Sequence, residues 1–181
     1  VIDTLLANKP NKWMLIAIAG SNKANEGQLE IVFKRSKSYE VLSNLAGNPK
    51  TPAHILEALF KDHKDEVCEN TKIPRKLVSK ITQAKKLSKK IQESCCFLAR
   101  NPALSDKKDQ LMLAKMMSNP ENLFLNPNLH GEVFEYLWIS GVTEWAGHFA
   151  DSKNFRKKHA MMMLASDDMM IRAAVVGSRY A

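Results

Sequence analysis

The dipeptide Asn-Pro returns several times before a helical pattern of apolar residues, and this recurrence constrains the fold more than any other feature of the chain. It occurs at Asn48-Pro49, Asn101-Pro102, Asn119-Pro120 and Asn126-Pro127. Proline disfavours the α conformation of the residue before it, so Asn48-Pro49 predicts the end of a helix. Thr51-Pro52 predicts the start of the next helix, with Thr51 as its cap and Pro52 at the first helical position. The turn between the two helices is therefore expected to contain only two or three residues.

The same arrangement returns along the chain. The apolar residues Ile55, Leu56 and Leu59, which follow Asn48, have the spacing of one helical face. A shift of 22 residues gives Leu77, Val78 and Ile81, and the copy after Asn126 has Val133, Phe134 and Leu137 there. The positions that correspond to Asn48, here called markers, are Asn22, Asn48, Asn70, Asn101, Asn126, Ser152 and Ser178, in steps of 22 to 31 residues. Such a period is typical of repeat architectures.

The repeats predict an all-α fold in which the units stack on one another. A single unit cannot bury its apolar face alone, whereas stacked units bury a continuous core and form an α-α superhelix, or solenoid. The strand-like run at Leu29 to Phe33 falls on a helix position of the repeat, so we expect a helix there. A longer helix is predicted from Ala84 to Ala99, within the longest step between markers, from Asn70 to Asn101. The length suits a single helical-repeat domain over residues 1–181. Because the chain begins at Val1 rather than Met, we expect it to be a fragment of a longer chain.

Two stretches carry a resemblance to a known repeat family. "LAGNPKTPAHILEALF", residues 45–60, has Ala, Asn-Pro, Thr-Pro and apolar residues at the family's spacing, and "DDMMIRAAVVGS", residues 167–178, resembles the acidic turn between its units. The chain thus resembles the leucine-rich repeat variant family. This resemblance implies a right-handed superhelix of alternating α and short 3₁₀-type helices, akin to armadillo and HEAT arrays. The family has no common catalytic residues, and one member carries an iron–sulfur cluster in a cysteine-rich segment that has no counterpart here, so no cofactor is expected.

The three cysteines, Cys68, Cys95 and Cys96, indicate a reducing compartment. Their odd number and the lack of a Cys-x-x-Cys spacing argue against a disulfide framework and a metal site. We expect a cytoplasmic protein, with Cys68 and Cys95 packed in the core as small apolar residues. The longest apolar run, Trp13 to Gly20, is shorter than the roughly 20 residues of a membrane span, so no membrane partner is expected.

The net charge of +8 is concentrated in one segment between Asn70 and Gln92, which contains no acidic residue. Its bases are Lys72, Arg75, Lys76, Lys80, Lys85, Lys86, Lys89 and Lys90. These side chains are candidates for binding the phosphate backbone of DNA or RNA without sequence specificity, because lysine predominates and no aromatic residue is interleaved. The ordinary alternative is a lysine-rich helix face in contact with solvent.

Three smaller patterns also allow a functional interpretation. Glu144, His148 and Asp151 would share one helical face and could hold a metal ion or transfer a proton, although a solvated face is favoured. The methionines could form an adaptable binding surface, although the repeat register favours core positions for most of them. They are Met161, Met162, Met163, Met169 and Met170. Trp138 and Trp145 are favoured as core residues, with a helix break predicted between them at Gly141.

The sequence favours a non-catalytic helical-repeat scaffold that binds another protein. Stacked repeats present an extended surface on which a partner protein can bind. The sequence contains no recognised catalytic motif and no glycine-rich loop for binding phosphate. In this interpretation, the structural repeat residues are Asn48, Pro49, Thr51, Pro52, Asn101, Pro102, Asn126 and Pro127. The alternative is nucleic-acid binding through the basic segment, as in HEAT-like DNA-repair proteins. A metal-dependent or hydrolytic enzyme is the least favoured interpretation.

Overall fold

The computed structural model describes residues 1–84, 89–178 and 180, and every regular element in these residues is a helix. The side chains of Lys89, Lys90 and Gln92 lie outside this description. There are twelve α-helices, two 3₁₀ helices and no strand in the part of the chain described. None of these helices combines the length and the apolar content needed to cross a bilayer. The predicted all-α fold class is therefore confirmed.

The chain divides into two compact units, Val1–Leu77 and Val78–Ala181, and the division falls within one helix. The first unit contains α1 (Ile2–Ala7), α2 (Lys12–Ala19), α3 (Glu26–Arg35), α4 (Tyr39–Gly47), α5 (Ala53–Leu59), α6 (Lys64–Glu69) and the beginning of α7 (Arg75–Thr82). The strand-like run at residues 29–33 lies inside α3, so the repeat register identified this segment correctly.

The second unit combines α-helices with both 3₁₀ helices, which are labelled η. It contains α8 (Lys89–Arg100), α9 (Lys107–Met116), η1 (Pro120–Leu125), α10 (Gly131–Ile139), η2 (Ala146–Asp151), α11 (Lys157–Leu164) and α12 (Met169–Val176). The long helix predicted at residues 84–99 corresponds to α8 in its described part, while residues 85–88 lie outside the described residues.

Helix starts in both units are set by short polar side chains. Asn25 precedes α3, and its Oδ1 accepts from the backbone N–H of Gln28 at 2.9 Å. The Gln28 side chain in turn accepts from the backbone N–H of Asn25 at 3.1 Å, which completes a capping box. Asp106 and Asp168 cap α9 and α12 without a reciprocal bond: one carboxylate oxygen of each accepts from two backbone N–H groups of the first turn. These contacts satisfy N–H groups that the first turn of a helix leaves free.

The marker residues form the tight corner that the sequence predicts. Asn48 leaves the helix with φ −76° and ψ 122°, and its carbonyl accepts from the N–H of Thr51 at 3.0 Å. The same bond, from a marker carbonyl to the N–H three residues later, joins Asn70 to Ile73, Asn101 to Leu104, Asn126 to Leu129, and Ser152 to Phe155. In each of these copies the residue that donates this N–H is buried, so the same turn places one core side chain in each repeat.

The first copy of the turn lies one residue earlier than the predicted marker, Asn22. The carbonyl of Ser21 accepts from the N–H of Ala24 at 3.2 Å, and its Oγ accepts from the N–H of Lys23. Ser21 is therefore the geometric equivalent of Asn48. Serine supports this turn because its hydroxyl can bond the backbone N–H two residues later, as the asparagine side chain does.

The predicted capping role of Thr51 is wrong. Helix α5 begins at Ala53, with Pro52 at the capping position and no side-chain cap. The Thr51 hydroxyl donates instead to the carbonyl of Leu45 at 2.6 Å. Leu45 lies in the last turn of α4, where carbonyls lack partners within the helix, so Thr51 stabilises the end of one helix rather than the start of the next.

Buried marker asparagines connect successive repeats through their side chains. In the first unit, Nδ2 of Asn48 donates to the carbonyls of Ala19 at 2.7 Å and Ser21 at 3.1 Å. Nδ2 of Asn70 donates to the carbonyls of Ala46 at 2.7 Å and Asn48 at 2.9 Å. Each amide therefore bridges two main-chain carbonyls at the end of the preceding repeat. The carbonyls of Ser21 and Asn48 also accept from the turn N–H groups of Ala24 and Thr51, so the amide is a second donor to them.

The second unit contains the same connection. Nδ2 of Asn126 donates to the carbonyls of Ala99 and Asn101, both at 2.9 Å, and more weakly to Leu104 at 3.2 Å. Its Oδ1 accepts from the N–H of Asn128 at 2.8 Å. Asn126 is 1% exposed, so these bonds form in a nearly dry environment and use the full capacity of the amide nitrogen.

Within each unit, the helices that end at a marker, here called marker helices, pack on one another. They are α2, α4 and α6 in the first unit, and α8, η1, η2 and α12 in the second. Among the described elements, those in extensive contact are never more than two elements apart along the chain. This neighbour-to-neighbour packing characterises helical-repeat folds.

Candidate functional site

Four of the eight predicted anion-binding bases have described side chains. Lys72, Arg75, Lys76 and Lys80 are all exposed. Lys85 and Lys86 lie outside the described residues, as do the side chains of Lys89 and Lys90. The structure therefore shows that four of the eight basic side chains are exposed to solvent.

Part of this charge is compensated by an acid from another helix. Nζ of Lys76 on α7 lies 3.1 Å from Oε2 of Glu57 on α5. The lack of acidic residues in the segment itself therefore does not leave all its bases free. Lys72 and Lys80 form no ion pair with any described residue, so they are the strongest remaining candidates for phosphate contacts.

The surface of the second unit also contains an open groove of about 460 Å³ between η2 and α12. It is referred to below as the acidic groove. Its lining residues are Glu144, Trp145, Gly147, His148, Asp151, Asp168, Met170, Ile171 and Ala174. The volume lies within the roughly 300–1,000 Å³ that is usual for ligand pockets.

The apolar part of the acidic groove depends on a close approach of its two helices. A Cβ atom added to Gly147 would lie 3.3 Å from Cβ of Ala174, so two small residues allow η2 and α12 to meet. Ile171 is buried beneath the groove, whereas Met170 is 72% exposed and Trp145 is 42% exposed. The groove thus has a fixed apolar base and two large side chains that remain accessible to a partner.

The backbone before η2 positions the indole of Trp145. Helix α10 ends at Ile139, and the N–H of Val142 donates to the carbonyl of Leu137 at 3.0 Å, with Gly141 at φ +79°. This is a Schellman ending, and it confirms the predicted break at Gly141. Trp145 then adopts φ 66° and ψ 5°, a left-handed conformation that bulky residues rarely occupy.

The two tryptophans have different environments. Trp138 is half-buried and stacks on Phe134, with 5.6 Å between the ring centroids. Trp145 is exposed, so the core prediction is wrong for this residue. The seven-residue spacing suggested a shared helical face, but the helix ends before Trp145 and the left-handed turn directs the chain into η2.

Three carboxylates line the acidic groove, and no lysine or arginine among the described residues does. Glu144 precedes η2, Asp151 ends it, and Asp168 caps α12. One oxygen of Asp168 accepts from the N–H of Met170 at 2.8 Å, whereas Glu144 and Asp151 form no ion pair with the described residues. Among the described residues, the groove therefore combines apolar contact area with three carboxylates and no cation.

The structure brings Glu144, His148 and Asp151 to the same groove, but not as the predicted helical face. Glu144 lies before the helix, the left-handed Trp145 separates it from η2, and η2 is a 3₁₀ helix rather than an α-helix. No group of three or more His, Cys, Asp or Glu residues in the described part of the chain is placed to hold a metal ion. The three side chains thus contribute to a charged surface.

Two further grooves lie between marker helices. A smaller one of about 190 Å³ between η1 and η2 shares His148 and Asp151 with the acidic groove and adds Phe124 and Leu125. In the first unit, a groove of about 330 Å³ between α2 and α4 is lined by Gly20, Ser43, Asn44, Gly47, Asn48 and Pro49. That lining contains no charged or aromatic side chain, so the acidic groove differs from it in chemistry.

The core prediction for the methionines is wrong at three positions. Met161 is 61% exposed, Met169 is 69% exposed and Met170 is 72% exposed, whereas Met163 is buried and Met162 is half-buried. Helices α11 and α12 have only eight residues each, and each buries a single face. The methionines on the other faces therefore remain in contact with solvent.

The cysteines occupy the predicted core positions. Cys68 and Cys95 are buried and Cys96 is half-buried. Burial, with a smaller contribution from Cys96, raises the pKa of the Cys95 thiol to about 12. A thiol with such a pKa stays protonated at neutral pH and is a poor nucleophile, which agrees with a packing role.

Sequence reasoning missed the contribution of α12 to the groove. Asp168, Met170 and Ile171 belong to the stretch that resembles the acidic turn of the repeat family, and their pairing with residues 144–151 depends on the packing of α12 on η2. Comparison of the chain with protein-family models, with curated proteins and with solved structures found no match. The groove therefore has to be interpreted from its own geometry and chemistry.

Proposed function

We propose that this chain is a non-catalytic helical-repeat scaffold that binds another protein through the surface of η2, α11 and α12. The observation that carries the proposal is the exposure of large apolar side chains on α11 and α12 and at the residue that precedes η2. They are Trp145, Met161, Leu164, Met169, Met170 and Val176, exposed by 42% to 72%. Single exposed apolar residues are ordinary, but a group on consecutive elements is typical of interaction surfaces, and methionine adapts to varied partner shapes.

The described groups with shifted pKa values support a scaffold rather than an active site. Glu40, Glu135 and His159 have hydrogen-bond partners, and the pKa of Cys95 is raised mainly by burial in the core. Lys12 and Ser38 lower the pKa of Glu40 to about 2 through hydrogen bonds on an exposed helix. Lys158 lowers the pKa of Glu135, and burial lowers that of His159, within one ion-paired cluster. Catalytic groups usually combine a shifted pKa with a cleft, and none of these residues lines the acidic groove.

Site-specific photo-crosslinking tests the proposal. A photoreactive phenylalanine analogue placed at Met161 or Met169 should crosslink a defined protein in extracts of the cell that produces this chain. Lys108 on α9 is exposed and offers a control site on a different surface. Equal labelling from all three positions, or no protein adduct from the methionine positions, would contradict a specific interface on α11 and α12.

A second candidate function is phosphate-backbone binding through the basic segment. It is supported by the exposed Lys72 and Lys80, which have no ion-pair partner among the described residues. Binding to duplex DNA and to RNA should weaken steeply as salt rises, and replacing both lysines with glutamine should reduce the salt slope by about 2. Affinity no greater than that of a charge-matched control protein at low salt would exclude this candidate.

A further inference from the structure

The chemistry of the acidic groove restricts the partners that it can accept. Its apolar base and the side chains of Trp145 and Met170 favour an apolar anchor, because burial of apolar area stabilises a complex. Glu144, Asp151 and Asp168 repel phosphate groups and other anions, while they attract lysine and arginine. Nucleic acid is therefore an unsuitable occupant of this groove.

Trp145 adds a second reason to expect a cation. Its indole lies at the groove, is 42% exposed and makes no cation–π contact with any described lysine or arginine. A guanidinium or ammonium group attracted by Glu144 can also stack on the face of the neighbouring indole. Arginine benefits most, because its planar group both stacks and forms paired hydrogen bonds to a carboxylate.

We infer that the acidic groove binds a basic segment of the partner protein, in which an apolar side chain is flanked by lysine or arginine residues. This inference rests on the proposed scaffold function and specifies the chemistry of the partner. The apolar side chain enters between η2 and α12 against Ile171. The flanking cations pair with Glu144, Asp151 and Asp168 at the rim of the groove.

Fluorescence anisotropy with two labelled peptides of about 12 residues tests the inference. One peptide has a central Leu-Met pair flanked by arginines and lysines, and the other has glutamates in place of every base. The basic peptide should bind and should lose affinity as salt rises, whereas the acidic peptide should not bind. Equal binding of the two peptides, or binding of neither, would overturn the inference.

Isosteric variants locate the binding site on the chain. Glu144→Gln, Asp151→Asn and Asp168→Asn together remove three charges, and the amide introduced by Asp168→Asn keeps a capping oxygen for α12. The affinity for the basic peptide should fall by about tenfold, since three exposed ion pairs are lost. Glu26→Gln, Asp62→Asn and Glu93→Gln remove the same charge from exposed positions outside the groove and should leave the affinity within about twofold. An equal loss in both triple variants would show a general charge effect and contradict the inference.

Trp145→Asn provides a second variant that does not depend on charge. Asparagine tolerates the left-handed backbone of this position, so the variant removes the indole without adding strain. The affinity for the basic peptide should fall by about fivefold or more while the melting temperature is retained. Retained affinity in this folded variant would overturn the role of the indole and the site assignment.

The two proposals fail in different ways. If the protein crosslinked from Met161 binds wild type and the groove triple variant equally, the inference fails while the scaffold function stands. If no protein is crosslinked, the scaffold function fails whatever the peptide result. Sedimentation of the chain alone adds one more outcome: a dimer that is lost in the groove triple variant would assign the groove to a second copy and overturn the inference.

Discussion

Asn126 shows how one buried amide determines the stability of a repeat junction. Its Nδ2 and Oδ1 together bond three carbonyls and one N–H, and the residue is almost inaccessible to solvent. Hydrogen bonds of this kind contribute modestly when formed, but leaving their partners buried and unpaired costs more. Loss of the Asn126 side chain should therefore cost more stability than the loss of a polar side chain on the surface.

Replacement of Asn126 by alanine should destabilise the second unit by about 2–4 kcal/mol, because the buried carbonyl of Ala99 loses the amide donor and that of Asn101 keeps only the N–H of Leu104. Urea denaturation monitored by circular dichroism measures the change in unfolding free energy. Asn128→Ala is a matched control, since among the described residues its exposed side-chain amide donates to the carbonyl of Pro102 alone, and it should cost less than about 1 kcal/mol. Equal costs for the two variants would contradict a special role for the marker.

Gly131→Ala should destabilise the chain by about 2–3 kcal/mol through steric overlap. A Cβ atom there would lie 2.6 Å from Cε1 of His159, a buried ring held by hydrogen bonds to Arg156 and Glu135. Gly47→Ala is the control, because a Cβ at Gly47 meets nothing within 4 Å and lies in helix α4. The control should be neutral or stabilising by up to about 1 kcal/mol. Thermal denaturation of both variants decides whether packing, rather than glycine content, determines the result.

At the scale of the element, the start of η2 combines strain with exposure. A left-handed conformation at a bulky residue costs about 1–3 kcal/mol, and the indole of Trp145 is 42% exposed. A strained and exposed tryptophan at the rim of the acidic groove is consistent with the binding role proposed for Trp145.

Trp145→Asn should therefore unfold at the same melting temperature as wild type or a few degrees higher. Trp138→Asn should lower the melting temperature, because it removes a half-buried ring that stacks on Phe134. Differential scanning calorimetry compares the two variants directly. A loss of stability at Trp145 as large as that at Trp138 would show that the exposed indole is a packing residue.

Helix α11 should lose stability on acidification through His159. Burial is the largest effect on this imidazole and lowers its pKa below 6.5, despite the opposing effect of Glu135. The unfolded chain therefore binds a proton at a higher pH than the folded chain, so stability falls as the pH drops below 6.5. The pKa of Glu135 is lowered by Lys158, so its contribution is lost only below pH 4.5.

The unfolding free energy of wild type should therefore fall more between about pH 7.5 and pH 5.5 than that of His159→Asn. Asparagine can still accept the N–H of Arg156, which preserves the start of α11. Denaturation at the two pH values measures the difference. Parallel pH profiles for the two proteins would show that His159 does not titrate differently in the folded and unfolded states.

Elements were more predictable from the sequence than the contacts between them. The turn after Asn48 and the break at Gly141 were predicted, because proline and glycine act on the local backbone. The bond from Asn48 to Ala19 was not, since its acceptor is a main-chain carbonyl 29 residues away that carries no side-chain signal. The groove was missed for the same reason: Asp168 joins Glu144 only through the packing of α12 on η2.

At the scale of the whole molecule, extensive contacts among the described elements join only near neighbours along the chain. In such proteins, stability is approximately a sum of repeat terms and nearest-neighbour terms. A local defect is therefore expected to weaken nearby repeats most. The prediction of a single domain over residues 1–181 can be examined by native-state hydrogen exchange, which measures how far such a defect spreads.

Native-state hydrogen exchange of Asn126→Ala should show faster exchange in α8, η1 and η2, with little change in α2 and α4. The reason is that the lost hydrogen bonds lie between the repeats at Asn101 and Asn126. Mass spectrometry of peptic fragments resolves these segments. A uniform increase in exchange along the described chain would instead show that all repeats unfold in one cooperative step.

The hydrogen bonds that the marker side-chain amides donate also affect how such a chain can gain or lose repeats. The donor in each bond is a side chain of one repeat, while the acceptors are main-chain carbonyls of the repeat before it. Main-chain carbonyls are present whatever residue occupies the position. A duplicated or deleted repeat thus rejoins its neighbours without matching mutations, and surface residues are free to diversify while the junctions persist.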